Sequence, residues 1–167
     1  MKPMTILWKR LVTKGETCPR CGDTGRELEA AVNKLKVVLG PLGIEPLLKT
    51  EEIDEATFRT NTAESNRVWI QDRPLEDWLG ADVGMSRCCS ACGDSDCRTI
   101  EVGGRVYETV PEEQIVKAGL IAASLMIGPS ASQMAEEAAA CDCGSSGHAS
   151  CKPEESKGKS GCCSSST

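Results

Sequence analysis

An α/β domain in the element order βαβα followed by ββα is what the 167-residue sequence predicts. Three observations carry it. Apolar and β-branched residues alternate over residues 4–12, an amphipathic stripe runs from Leu28 to Leu42, and two β-rich runs flank Gly103-Gly104 ahead of a last apolar helix.

Each element has a local cause. In residues 4–12, Ile6, Trp8 and Arg10 fall on one face of a strand and Leu7 and Leu11 on the other, with a turn at residues 14–17. After the CPRCGDTG segment, Leu28, Ala31, Val32, Leu35, Val38, Leu39 and Leu42 follow the i, i+3, i+4, i+7 spacing of a helix that Asp23 or Thr24 can cap. Gly40 and Pro41 end or kink it, and residues 44–48 read as a second strand. Residues 52–59 suit a short helix, and residues 67–71 (RVWIQ) a third strand. Residues 99–102 and 105–110 alternate around Gly103-Gly104, a pair suited to a two-residue hairpin turn at positive φ. The final helix spans residues 111–127, with proline in its first turn and Glu112 and Glu113 at the positive end of its dipole.

Composition narrows the function. Twenty-five Asp and Glu against 19 Lys and Arg give a net charge of -6, which repels a phosphate backbone, and no basic stripe interleaved with aromatics offsets it. Nucleic acid is therefore not an expected partner. The most apolar stretch, residues 118–127, is too short for a bilayer, and Lys9 and Arg10 interrupt the N-terminal apolar run before it can act as a signal core, so no membrane partner is expected and the reading is cytoplasmic. The lone histidine, His148, stands far from the folded part, which removes Ser-His-Asp and Cys-His hydrolases. Gly22-Asp-Thr-Gly25 matches no nucleotide-binding fingerprint. Glu51, Glu52, Asp54 and Glu55 read as a solvated surface, and Trp8, Trp69 and Trp78 as core or edge packing.

Eleven cysteines dominate what remains, and they fall into three blocks. A chain of this length can bury a core without disulfide staples, and in a reducing compartment clustered cysteines point to redox chemistry or soft-metal binding. Cys18 and Cys21 precede the first helix; Cys88, Cys89, Cys92 and Cys97 lie in a polar loop at 84–98; Cys141, Cys143, Cys151, Cys162 and Cys163 lie in the last 27 residues, which also hold eight serines and four glycines. Such a segment cannot bury enough apolar surface to offset the entropy of ordering it. The expected division is a folded domain over residues 1–128 and a flexible Ser/Gly/Cys-rich tail over residues 129–167, with a loop and a short, weak helix over residues 129–140 and disorder from Cys141.

A first strand, a CPxC turn (Cys18-Pro19-Arg20-Cys21), a long helix, and a later hairpin with a closing helix resemble the thioredoxin and glutaredoxin superfamily over about residues 4–127. With RCCSACGDSDCR ahead of the hairpin, the chain is also similar to a group of small prokaryotic thioredoxin-like proteins known as a domain of unknown function. The resemblance implies a thioredoxin-like βαβαββα sheet with helices on both faces. Where such proteins usually carry a cis-proline before the third strand, this chain has Ser65-Asn66.

A dithiol enzyme needs one exposed thiolate at a helix N-terminus and a second thiol a turn later to resolve the mixed disulfide. Cys18 fits the attacking role and Cys21 the resolving one, Pro19 fixes the turn, and Arg20 adds positive charge that Glu16 and Asp23 oppose. No cofactor is required for that chemistry, and protein or low-molecular-weight thiols and disulfides are its partners. The competing reading is a zinc knuckle, since CPRCG and CSACG both have that form. Cys88, Cys89, Cys92 and Cys97 admit three arrangements: a local thiolate site, a site shared with Cys18 and Cys21 that Asn66 would leave open to metal, or a second exchange pair. The tail pairs suit Zn(II), Cu(I), Hg(II) or As(III). The expectation is thiol-disulfide exchange by a CxxC oxidoreductase. The alternative is non-catalytic binding or transfer of thiophilic metals or metalloids, and a zinc-stabilised interaction module is the third.

Overall fold

Strand β1 (Lys2–Leu11) buries Met4, Ile6 and Trp8 on one face, as its alternation predicts. The computed structural model describes residues 1–88 and 95–128, all within the unit Met1–Gly128. The tail expected at residues 129–167 lies outside the described residues. β1 is central to a four-stranded sheet. It pairs in parallel with β2 (Ile44–Ile53), from Lys2 opposite Ile44 to Leu11 opposite Ile53, and antiparallel with β3 (Arg67–Ile70), which pairs in turn with the two-residue β4 (Arg73–Pro74). The order is β2-β1-β3-β4.

β2 runs five residues past its apolar stretch, through Lys49, Thr50, Glu51, Glu52 and Ile53. Opposite charge on β1 accompanies the extension: Lys9 Nζ lies 3.4 Å from Glu51 Oε1, and Arg10 donates to Glu52 Oε1 at 3.0 Å. At its end Ile53 joins Leu11, Cys97 and Phe58 in a small apolar cluster. Phe58 comes from α2 (Glu55–Thr60), whose N-cap is Asp54, accepting from Thr57 N at 2.8 Å. That bond holds the Asp54 carboxyl below its usual range. The short helix thus begins later than residue 52, because Glu52 and Ile53 are committed to β2.

Between β1 and α1, Thr13 and Glu16 bridge a tight turn in which Lys14 and Gly15 both take positive φ. Helix α1 (Pro19–Leu39) starts earlier than its apolar stripe does. Its N-cap is Cys18, whose sulfur accepts from Cys21 N at 3.5 Å, and Pro19 occupies the first turn where no donor is needed. The expected cap at Asp23 or Thr24 is therefore corrected: both lie inside the helix. Gly40–Leu42 adds a 3-10 turn, and Gly43 at φ 73 sends the chain into β2.

Residues 72–83, which carry no sequence signal, form β4, the one-turn helix α3 (Leu75–Leu79) and the start of β5 (Asp82–Arg87). β5, β6 (Asp96–Val102) and β7 (Arg105–Tyr107) make a separate antiparallel sheet in that order. Gly103 and Gly104 turn the β6-β7 hairpin at φ 59 and 80, as predicted. Two expectations are corrected here. The hairpin does not join the sheet of β1, so the strands form two sheets rather than one. Residues 84–98, expected as a loop, contain most of β5 and the start of β6; β5 is almost wholly exposed, so its pairing with β6 left no apolar alternation to read.

Helix α4 (Glu112–Ile127) packs on α1 over the Met4, Ile6 and Trp8 face of the first sheet. Small residues bring the two helices close. A Cβ at Gly119 would stand 2.7 Å from a methyl of the fully buried Leu35, and Ala118, Ala122 and Ala123 are buried beside it. The opposite face of the sheet is covered at one end by Phe58, and Leu7 and Trp69 on it are half-buried. Trp78 donates to Ile70 O at 3.1 Å and Arg67 stacks over Trp69 at 4.4 Å, so the tryptophans act in packing as expected. The two sheets meet through a buried carboxylate: Glu76 of α3 lies 3.3 Å from Arg67 of β3 and 2.5 Å from Arg98 of β6. No helix among the described residues is long and apolar enough to cross a membrane.

Gly25 has a packing reason in α1. A Cβ there would stand 2.8 Å from the Trp8 ring, which is 5% exposed and has nowhere to move. Gly25→Ala should lower stability by about 1–3 kcal/mol through overpacking, despite alanine's better helix propensity. Gly22→Ala, whose Cβ meets only Thr17 at 3.9 Å, should be neutral or stabilising. Guanidinium denaturation midpoints of the two variants check the contrast.

Candidate functional site

Cys18 and Cys21 sit where β1, the N-terminus of α1 and the corner before β3 converge. Ser65 and Asn66 form that corner, and the peptide linking them is trans. Asn66 holds φ 59, a left-handed conformation that asparagine tolerates better than other side chains. Both ends of its amide are bonded. Trp8 Nε1 donates to Asn66 Oδ1 at 3.2 Å, and Asn66 Nδ2 donates to Thr24 Oγ1 at 3.0 Å. Thr24 Oγ1 also accepts from Val110 N at 3.3 Å and donates to Arg20 O at 3.3 Å, which uses the full capacity of a hydroxyl. Ser65 Oγ accepts from Leu11 N at 3.3 Å and lies 3.8 Å from Cys21 Sγ.

The pair is more enclosed than a dithiol with an exposed nucleophile was expected to be. Cys18 is 6% exposed and Cys21 1%. Asn66, the residue expected to leave the pair open to metal, is itself buried and hydrogen-bonded to Trp8 and Thr24. The Cys21 thiol is pushed well above its ordinary value by its hydrogen bond with Cys18, by burial and by the charge of Cys18, with Ser65 opposing and Cys97 adding to the rise. Cys21 thus keeps its proton through neutral pH.

Arg20 lies between the two cysteines in sequence but points toward the second sheet. It is buried, donates to Ser86 Oγ of β5 at 2.5 Å and pairs with Glu108 at 2.6 Å. Burial opposes its charge, yet Glu108 and the nearby sulfurs of Cys97 and Cys88 outweigh that and hold its pKa above the ordinary value. The bond from Arg20, followed by that from Ser86, holds the Glu108 carboxyl below its usual range. Cys97 and Cys88 are therefore neighbours of the CxxC. Cys97 is buried on β6 and Cys88 is half-buried just beyond β5. Cys89, Cys92, Cys141, Cys143, Cys151, Cys162, Cys163 and His148 lie outside the described residues. Among the described residues, no three or more His, Cys, Asp or Glu side chains are grouped closely enough to hold a metal ion. Glu51, Glu52, Asp54 and Glu55 are exposed, in keeping with a solvated surface.

Sequence reasoning reached Cys18, Cys21 and the Ser65-Asn66 position but not Thr24, Ser86 or Glu108 as parts of the site. The signal for Thr24 was present in GDTG, a small polar side chain one helical turn after Cys21 and next to a glycine. Ser86 and Glu108 carry no such mark, since only the folding of the second sheet brings them to Arg20.

Residues 4–119 match the family described as Domain of unknown function (DUF2703). The chain belongs to this family. The DUF2703 region runs from β1 into α4 and takes in all six cysteines from Cys18 to Cys97, while the five from Cys141 onward fall beyond it. An uncharacterized protein of the archaeon Archaeoglobus fulgidus is 46% identical over 112 residues, covering 67% of this chain and 82% of the relative. No solved structure matches the chain.

The raised Cys21 pKa has a pH consequence for the reduced protein. Because the folded state holds the proton more tightly than the unfolded one, the stabilisation is fully present below the ordinary thiol value of 9.0 and is lost as pH rises beyond it. The thermal midpoint of the reduced protein should fall above that pH, and Cys21→Ala should remove part of the fall; a pH series of melting curves under reductant checks both.

Proposed function

We propose that the chain carries out thiol-disulfide exchange as a thioredoxin-like protein, with Cys18 as the nucleophile and Cys21 as the resolving thiol. The observation that carries this reading is the division of labour in the pair: Cys18 Sγ caps α1 and receives an amide N-H, and Cys21, one turn inside, retains its proton. An amide donor and the positive end of a helix dipole favour a thiolate at that position. The Cys18 thiolate attacks one sulfur of a disulfide and expels the other as a thiolate. Cys21 then gives up its proton, attacks the Cys18 sulfur and releases the reduced partner, so that two electrons leave the pair as the Cys18–Cys21 disulfide forms.

The thioredoxin-like assignment is supported by the order β2-β1-β3-β4, with β1 and β2 parallel and β3 and β4 antiparallel, and by the position of Ser65-Asn66 at the corner facing Cys21. Cys18 is so little exposed that a low-molecular-weight disulfide is the partner class best able to reach it. Capture of a thiophilic metal or metalloid is the second reading, for which Cys88 and Cys97 lie near Arg20 between the two cysteines of the pair, although no three ligands among the described residues are grouped closely enough to hold an ion.

Alkylation mass shifts in glutathione buffers of graded potential, together with elemental analysis, test the two. A reversible Cys18–Cys21 disulfide in metal-free protein is the expected result. Cys18→Ser should slow reaction with a small aromatic disulfide by at least about 100-fold. Stoichiometric bound metal with no accessible couple overturns exchange in favour of metal capture.

A further inference from the structure

The β5-β6 arm places two more sulfurs on one face. In its register Ser86 stands opposite Cys97, and Arg87 opposite Asp96. The next pair is Cys88 with Ser95, joined by the bond from Cys88 N to Ser95 O at 3.1 Å. Side chains two apart on a strand share a face, so Ser86, Cys88, Ser95 and Cys97 point the same way. Arg20 grips that face at Ser86, directly across from Cys97, and it is the residue before Cys21. A second tie runs beside it: Arg98 Nη1 donates at 3.3 Å to Ala63 O, two residues before the Ser65 that lies against Cys21. Both anchors bring Cys97 to the Cys21 side of the dithiol, in keeping with the influence of Cys97 on Cys21 and on Arg20. Arg20 Nη1 is buried with no hydrogen-bond partner among the described residues, which leaves a charged donor at hand for a thiolate.

We propose that Cys88 and Cys97 form a second dithiol that exchanges with the Cys18–Cys21 pair and carries electrons to it from a low-molecular-weight thiol. This rests on the exchange reading above. When the first pair is a disulfide, the Cys97 thiolate attacks Cys21 Sγ; the Cys18–Cys21 bond breaks and Cys18 leaves as a thiolate. Cys88 then attacks Cys97 Sγ, the Cys21–Cys97 bond breaks, and Cys21 leaves and takes up a proton. Two electrons pass from the second pair to the first; the proton given up by Cys88 is matched by the one Cys21 takes up, and the negative charge that began on Cys97 ends on Cys18. The thiol, in its turn, reduces the Cys88–Cys97 disulfide at half-buried Cys88, a more open entry than Cys18. Diagonal cross-strand partners stand roughly 7–8 Å apart, so the second disulfide closes when Cys88, which lies beyond the end of β5, moves inward.

Trapping the intermediate in the full-length chain tests the relay. In the Cys18→Ser, Cys88→Ser double variant, oxidised by glutathione disulfide, non-reducing peptide mapping should find a Cys21–Cys97 disulfide. In Cys97→Ala, the Cys18–Cys21 disulfide should still form, but its reduction by glutathione should slow about tenfold. If wild-type protein forms Cys18–Cys21 while Cys21 of the double variant pairs elsewhere or not at all, or if Cys97→Ala is reduced at the wild-type rate, the relay is overturned and exchange stands. If no Cys18–Cys21 disulfide forms in wild type at any potential, both fall.

Discussion

Thr24 holds this domain in register. Its single hydroxyl is shared by α1, by the corner ahead of β3 and by the chain entering α4, and through Asn66 it extends to Trp8 at the centre of the first sheet. Every group in that chain is buried, and a buried donor or acceptor left unpaired costs about 1–3 kcal/mol, so the network tolerates only one arrangement of the segments that contribute to it. The dithiol rests on those same segments. Cys21 lies in the turn of helix before Thr24, and Ser65 is tied to β1 beside Asn66, so the sulfur geometry follows from the polar chain beneath it.

The charged groups divide between holding the two sheets together and shaping the site. Glu76 lies between Arg67 and Arg98 and joins α3 to a strand of each sheet. A carboxylate so buried is tolerable because two guanidinium groups face it, and removing either partner would strand charge in a low-dielectric setting. Arg20 belongs to the site: held by Ser86 and Glu108, it fixes the second sheet against the start of α1. The arm bearing Cys88 and Cys97 is thereby docked by charge on the dithiol, while Cys97 also enters the apolar cluster of Leu11, Ile53 and Phe58.

How much of this was legible depended on whether an element's order comes from its own residues. The α1 stripe, the β1 alternation and the Gly103-Gly104 turn satisfy local rules, and each forms close to where it was expected. The end of β2 and nearly all of β5 are polar and exposed, so their extension comes from pairing with a neighbour that periodicity does not reveal. The division into two sheets was hidden for the same reason. A hairpin announces its turn but not the sheet it joins, and only the pairing of β6 with β5 shows that this one lies outside the sheet of β1. At the site, CPRC marked the dithiol plainly. The enclosure of the pair was not visible, because it arises from contacts between segments some 40 residues or more apart, Ser65 with Cys21 and Ser86 with Arg20 among them.

Cys18 performs two duties with one atom. As the cap of α1 its sulfur accepts from the Cys21 amide, and the first turn of the longest helix therefore depends on the state of that sulfur. Alkylation, oxidation or substitution at this sulfur alters the start of the helix together with its chemistry. Serine, a favoured cap residue, would preserve the architecture and remove the reactivity, whereas alanine would remove both. Any change at that one atom is therefore also a change in how the longest helix begins.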